Sequence, residues 1–180
     1  TRRKRFVMLI ADTDKQANRY LYNIRAELEQ NELLIKDFGP FKPDGADSDE
    51  WQKTTIVIPK FRARISAHTN GQNIRGLRHL EIRPDLVICD DIEDIEDVRH
   101  KEQRDKLYRW FKSDVMQVGD KGTQFVLLGN LLHSDGIMCR IEKEITDGKI
   151  PGVVRRYAIT DERGESAWPG KFPDRASLDI

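Results

Sequence analysis

The chain has 180 residues, 38% apolar and 34% charged, enough for one domain or a domain and a half that buries roughly 68–70% of its unfolded surface without a disulfide or metal staple. Thirty-one Lys and Arg balance 31 Asp and Glu, so no global cationic field draws nucleic acid in, and any DNA contact has to be local. The longest apolar runs, Phe6–Ala11, Leu86–Cys89 and Phe125–Leu128, are far short of a membrane span, and no charged-then-apolar leader opens the chain; a soluble, unsecreted protein with no membrane partner is expected. Cys89 and Cys139 have no CxxC partner; Cys89 sits inside an apolar run, where a thiol acts as a small buried hydrophobe, and a reducing compartment is expected.

In chain order, the apolar run 5–11 reads as a strand, and Asp12-Thr13-Asp14 supplies cap residues for a helix over about 15–30. Ala17, Leu21, Ile24 and Leu28 recur at helical spacing and give that helix one apolar face. Phe38 to Gly45 is turn chemistry and the acidic stretch Asp44–Glu50 continues it as an exposed loop. Two β-branched runs, Thr54–Ile58 and Arg62–Ser66, flank Pro59-Lys60 and predict a pair of strands. Asn70–Arg83 is polar and holds two glycines; it leads to an apolar strand over 85–89 that ends in Asp90 and Asp91.

Arg99–Val118 reads as a charged helix with Leu107, Trp110, Phe111 and Val115 along one side, where core packing outweighs base stacking. Gly119–Gly122 closes it, Gln124–Leu128 is another apolar strand, and Ser134 is placed to cap a helix reaching about Ile145. Val153–Ile159 is the last strand expected, and Pro173-Asp174-Arg175-Ala176 has the look of a first helical turn. Strands apolar on both faces alternating with amphipathic helices imply an α/β fold, an open, mostly parallel sheet with flanking helices.

Open α/β sheets bind ligands at the carboxyl ends of their strands, which is where Asp90 and Asp91 stand. Four apolar residues followed by acids form a Walker B pattern: one carboxylate holds hydrated Mg²⁺, and the other orients or deprotonates a water. The neighbouring acids Glu93, Asp94, Glu96 and Asp97 also fit a solvated acidic face. A phosphate loop, G-x-x-x-x-G-K-[ST], is missing; Gly71–Gly76 has the glycine spacing, but Leu77-Arg78 follow it, and it reads as a loop.

Four segments together resemble the ATPase domain of the large terminase subunit of tailed bacteriophages, and the likeness covers nearly the whole chain. They are Leu9–Ala17 with the helix after it and Phe38-Gly39; Gly71–Gly76 with Arg83–Asp91; Phe125–Gly136; and the Trp-Pro segment Ala167–Phe172. The resemblance implies a P-loop NTPase-like (ASCE) core lacking the Walker A segment, with residues 1–165 a truncated ATPase domain and 166–180 the start of a linker towards an absent nuclease domain. It implies that Asp90 supports Mg²⁺, that Asp91 is the catalytic carboxylate with Glu93 as the alternative, and that Gly129 and Asn130 form a coupling segment sensing the γ-phosphate. Many relatives have Glu at the second acid and Thr or Ser at the position of Asn130. The implied cofactors are Mg²⁺ and ATP. The implied partners are double-stranded DNA, the portal protein, the small terminase subunit and further copies in a ring, in the cytoplasm of a bacterial host carrying the phage or prophage. Without the missing loop these 180 residues alone are expected to bind nucleotide weakly.

Arg75 and Arg78, close before the acidic strand with Arg83, are candidate phosphate or DNA contacts, as are Arg155-Arg156 and the basic run Arg2–Arg5. The histidines 68, 79, 100 and 133 lack zinc-site spacing. Two other readings use the same residues: a metal-dependent nuclease in which Asp90, Asp91 and Glu93 bind two cations, and a non-catalytic docking domain.

Overall fold

The computed structural model describes residues 4–42, 51–174 and 176–178. The acidic stretch over 44–50, Arg2 and Arg3 of the basic run, and Arg175 lie outside the described residues. The chain forms two compact units, Thr1–Ile141 and Glu142–Ile180.

The first unit is built on a five-stranded sheet in the order β2-β3-β1-β4-β5. Its strands are β1 (Phe6–Ala11), β2 (Thr55–Ile58), β3 (Ala63–Thr69), β4 (Leu86–Asp90) and β5 (Gln124–Leu128). β1 runs parallel to both β3 and β4, and β4 parallel to β5; β2 is antiparallel to β3 at one edge. The β2–β3 hairpin turns through a single 3₁₀ turn, Pro59–Phe61, with Arg62 in the left-handed region at φ 49°. β1 lies between two parallel neighbours and has both faces covered, which explains its unbroken apolar sequence.

Alternation along β1 sends Met8 and Ile10 to one core, shared with Val87 and Cys89 of β4. That core is closed by Leu107, Phe111, Val115 and Val118 and by Ile137 of α5 (Ile137–Thr146). The opposite core holds Ala17 and Leu21 of α1 (Asp14–Gln30) with Ile56, Ile58, Ala67 and Phe41. Thr13 caps α1 by accepting from the Gln16 N–H at 3.3 Å. Directly after it, Asn31 caps a second helix, α2 (Glu32–Phe38), that the helical spacing of residues 15–30 does not reveal.

The charged helix after β4 begins earlier than its sequence suggests and has two parts, α3 (Ile95–Arg99) and α4 (Lys101–Trp110), separated at His100. α3 starts on a capping box in which Asp94 and Asp97 each accept the other's backbone N–H, so this acidic pair has a structural task. α4 continues into a π turn, Phe111–Val115, closed by the Met116 N–H to the Phe111 carbonyl at 2.9 Å. Phe111 is buried, and the Trp110 Nε1–H donates to the Gln72 carbonyl at 2.9 Å, so both serve packing.

The second unit comprises the end of α5 and mostly irregular chain. Val153–Ile159 is not a strand: it has no ladder partner among the described residues, and Val153, Tyr157 and Ile159 are exposed. β-branched composition alone does not make a strand when the backbone groups find no sheet to join. The Asp161 carboxylate organises a turn by accepting the N–H of Arg163 and Glu165, and Thr160 bridges Ser166 across it. Trp168 is exposed, and its carbonyl accepts from Lys171 and Phe172. Among the described residues no helix is long and apolar enough to cross a membrane.

Candidate active site

The parallel strands β1, β3, β4 and β5 deliver their carboxyl ends to one rim of the sheet. Asp90 pairs in register with Ala11 on one side and Leu128 on the other, so Asp12, Asn70, Asp91 and Gly129 follow their strands onto the same rim. Asn70 ties two of these ends together: its N–H donates to the Ala11 carbonyl at 3.0 Å, and its side-chain amide to the Ile92 carbonyl at 3.3 Å.

Asp90 is half-buried, and its Oδ2 accepts the Tyr20 hydroxyl at 2.7 Å. Tyr20 in turn accepts from Gln16 Nε2 at 2.7 Å, so two residues one turn apart on α1 orient the carboxylate. Desolvation, and then the hydrogen bond to Asp90, hold the Tyr20 phenol above its ordinary value. Tyr20 is a site residue that sequence reasoning missed; the one signal able to reveal it is the polar i, i+4 pair Gln16 and Tyr20 beside the apolar face of the first helix after β1.

Asp91 leaves the strand in the left-handed region, φ 45°, where side chains other than Gly, Asn and Asp are costly. Its N–H donates to the Leu128 carbonyl at 3.1 Å, which carries the pairing with β5 one residue past the ladder. A Cβ placed on Gly129 would lie 3.6 Å from Asp91 Oδ1, so the carboxyl group stands close by the glycine at the tip of β5. Asp91 is exposed at the rim, and partial desolvation, then the like charge of Asp90, raise its carboxyl above the usual carboxylate range. Asn130 follows, exposed, beside a small cleft that Asp91, Glu93, Gly129 and Asn130 line together.

Glu93 is not on a solvated acidic face. It is 9% exposed, and its Oε1 accepts the Ile137 N–H at 2.9 Å, capping α5 from 44 residues away. Ser134, the expected cap, does not take this place. Gly136 makes the approach possible, since a Cβ there would meet Glu93 Oε2 at 2.6 Å. That Oε2 is buried without a hydrogen-bond partner, and burial pushes the Glu93 carboxyl up. Asp12 on the same rim is also raised, by burial and then by Asp94 and Asp97.

α5 is braced a second way. Arg140 donates to both Asp135 and Asp105 at 2.7 Å, and Arg104 donates to Asp135 at 3.1 Å and to the Val98 carbonyl at 2.6 Å. Arg140 and then Arg104 hold the Asp135 carboxyl down at about 2. His133 contributes locally, its Nδ1 accepting the Asp135 N–H at 2.9 Å.

The two arginines singled out by sequence do not join the acids. Arg75 pairs with Asp114 of the π turn, Nε to Oδ1 at 2.8 Å. Arg78 lines a cavity with Arg5 and Asp85, at the amino-terminal end of the sheet. Asp85 and Asp90 lie five positions apart along β4, about 16 Å of extended chain. Gly71 and Gly76, at φ 76° and 75°, make turns and no helix follows them, so the loop lacks the helix N-terminus of a phosphate cradle. Cys89 is buried and free, with its thiol pushed up to about 12, and Cys139 is free as well.

Among the described residues no group of three or more His, Cys, Asp or Glu side chains is placed to hold a metal ion. An ion here would take one or two carboxylates and complete its shell with water and substrate phosphates, the usual arrangement for Mg²⁺ and not for Zn²⁺ or Ca²⁺. Neither the protein-family models nor the curated proteins contain a match to this chain.

Proposed function

We propose that the chain is part of the ATPase of a phage-type large terminase subunit, with Asp90 on the Mg²⁺ side and Asp91 as the carboxylate that receives a proton from the attacking water. One observation carries this reading: the two acids ending β4 stand on the carboxyl rim of a parallel sheet, with Asp91 close by Gly129 at the tip of the adjacent strand. An acid that prepares water and a segment that senses the γ-phosphate need that closeness to act as a unit.

Mg²⁺, when bound, supplies charge neutralisation of the triphosphate. The chain's own groups do the rest. Tyr20 occupies Asp90 Oδ2 and leaves Oδ1 without a described partner. Asp91 has the raised basicity a general base needs, and the exposed Asn130 amide can donate to a phosphate oxygen. Glu93, buried and engaged at Ile137, is the weaker candidate for the base and becomes the residue that positions α5. The same engagement weighs against a nuclease in which Glu93 would share two cations. Double-stranded DNA, the portal, the small subunit, a ring of copies and a bacterial cytoplasm belong to this proposal through the resemblance of the sequence.

The test is steady-state ATP hydrolysis by the protein carrying this chain, which on this reading also encodes a G-x-x-x-x-G-K-[ST] loop ahead of Thr1. Asp91→Asn should cut kcat by a factor on the order of 10²–10⁴, and Asp90→Asn should raise the Mg²⁺ concentration needed. Full turnover in Asp91→Asn removes Asp91 from the mechanism. Mn²⁺-dependent plasmid nicking that disappears in Asp90→Ala, with no ATPase, makes the chain a nuclease.

A further inference from the structure

We propose that the amino-terminal end of the sheet holds a second site, a cleft for single-stranded nucleic acid, separate from the acids on the opposite rim and independent of the ATPase reading. A cavity of about 1230 Å³ opens there, above the 300–1,000 Å³ usual for small-molecule pockets and open enough to admit a chain. Seven Lys or Arg side chains line it against three carboxylates. This imbalance is local, in a protein whose total charge is zero.

Most of the positive charge is unspent. Among the described residues Arg78 and Arg83 form no ion pair. Lys60 and Lys4 donate to backbone carbonyls, Lys60 to Phe38 and Gly39 and Lys4 to Asp85, which orients their ammonium groups without neutralising them. Arg64 lies over the Phe6 ring and keeps a buried Nε with no partner. Of the acids, Glu81 is taken by Arg62, and Asp85 accepts the N–H of Arg5 and Phe6.

The floor decides which polyanion fits. Leu34, Phe38, Phe41, Phe61 and Ile82 line the same cavity, and Phe38 is 54% exposed. Lys60 stands 5.6 Å from the centre of the Phe61 ring and bonds to the Phe38 backbone carbonyl, so a cation adjoins one ring and is tied to the chain at the other. Cations on a rim beside accessible aromatic rings are how proteins hold single strands: phosphates go to the charges, bases stack on the rings. A duplex keeps its bases inside and offers only its backbone, so it has nothing to place on an apolar floor. A purely electrostatic polyanion site would not need the rings.

The experiment is fluorescence anisotropy with a fluorescein-labelled dT12 oligonucleotide, using the whole chain. Binding should weaken with salt, log K falling with log[salt] at a slope of about −2 for three phosphate contacts. Arg78→Glu with Arg83→Glu should weaken it tenfold or more, with an unchanged circular dichroism spectrum. The exposed Phe38→Ala should cost roughly tenfold while leaving the salt slope intact, and it keeps the proposal testable if the double reversal unfolds the chain. Arg19→Glu with Arg109→Glu, equal charge removed from exposed helix positions outside the cleft, should leave binding unchanged within about twofold. The proposal is overturned by no binding at 50 mM salt. It is equally overturned by a 12-base-pair duplex or heparin binding more tightly than dT12, or by indifference to both cleft variants.

Discussion

At Asp91 a single backbone angle separates two kinds of variant. With φ at 45°, Asn substitutes at little conformational cost, while a β-branched residue is forced into a region it disfavours. Asp91→Val should therefore lose about 1–2 kcal/mol in urea unfolding, and Asp91→Asn should unfold within about 0.5 kcal/mol of the parent. Similar urea midpoints for both would mean that the left-handed turn is not maintained in solution. Glu93 offers a second residue-scale test. Its Oε1 holds the Ile137 N–H, and Glu93→Ala strands that buried donor, a loss of about 1–3 kcal/mol. Glu93→Gln keeps the acceptor and removes the buried charge. Because the folded carboxyl is raised above its ordinary 4.5, the stability Glu93 contributes is complete below pH 4.5 and is lost as pH rises through the folded value. The gain of Glu93→Gln over the parent should accordingly be larger at pH 7 than at pH 4.5. A gain that is independent of pH would mean that Glu93 is not buried as a carboxylate.

Among the elements, α5 is the one whose support was least visible in sequence. Its N-terminus is held by Glu93 at a separation of 44 residues and its first turns by Arg140 and Asp135, with Asp105 and Arg104 reaching across from α4. Such long-range partners leave no periodic trace, and the local signal, Ser134, pointed to a cap the helix does not use. Arg140→Lys should lower the melting temperature by about 2–4 °C, because an ammonium cannot reproduce the forked bonds to two carboxylates. Lys101→Ala, which breaks an exposed i, i+4 pair with Asp105, should change it by less than about 1 °C. Equal effects would mean that the Arg140 fork contributes no more than a surface pair. The strands were legible for the opposite reason. Residues 6–10 are apolar without alternation because β1 is buried on both faces, whereas β4 and β5 turn Val87, Cys89, Phe125 and Leu127 to one core and leave Leu86, Ile88 and Val126 half-buried. α3 was hidden because its capping box is spelled with acids, which read as a solvated run, and Val153–Ile159 misled because composition does not say whether a neighbouring strand exists.

For the whole molecule, the sequence located the acids and the tip of β5 but not what joins them. Asp91 and Gly129 are 38 positions apart, and only the parallel register of β4 with β5 brings them together. The amino-terminal cleft was hidden more deeply, since its charges come from four separate stretches of chain and cancel in the total. Global stability should carry a pH signature from one half-buried group. His68 of β3, bonded to Ser66 at 2.9 Å, is lowered from 6.5 to about 4, by burial first and then by Arg64, which outweigh a hydrogen bond to Gln72. The unfolded chain therefore takes up a proton before the folded one does. Stability is full above pH 6.5 and is lost as pH falls towards 4, amounting to about 2 kcal/mol by pH 5. Asp12, Asp91, Glu93 and Asp97, all raised, act in the opposite direction, each contributing more as pH falls. Urea unfolding at pH 7.5 and 5.0 should show the parent losing about 2 kcal/mol relative to His68→Gln between the two, since the variant removes the imidazole and keeps the acids. Parallel losses in both proteins would assign the acid sensitivity elsewhere and leave His68 protonated, or exposed, in the folded chain.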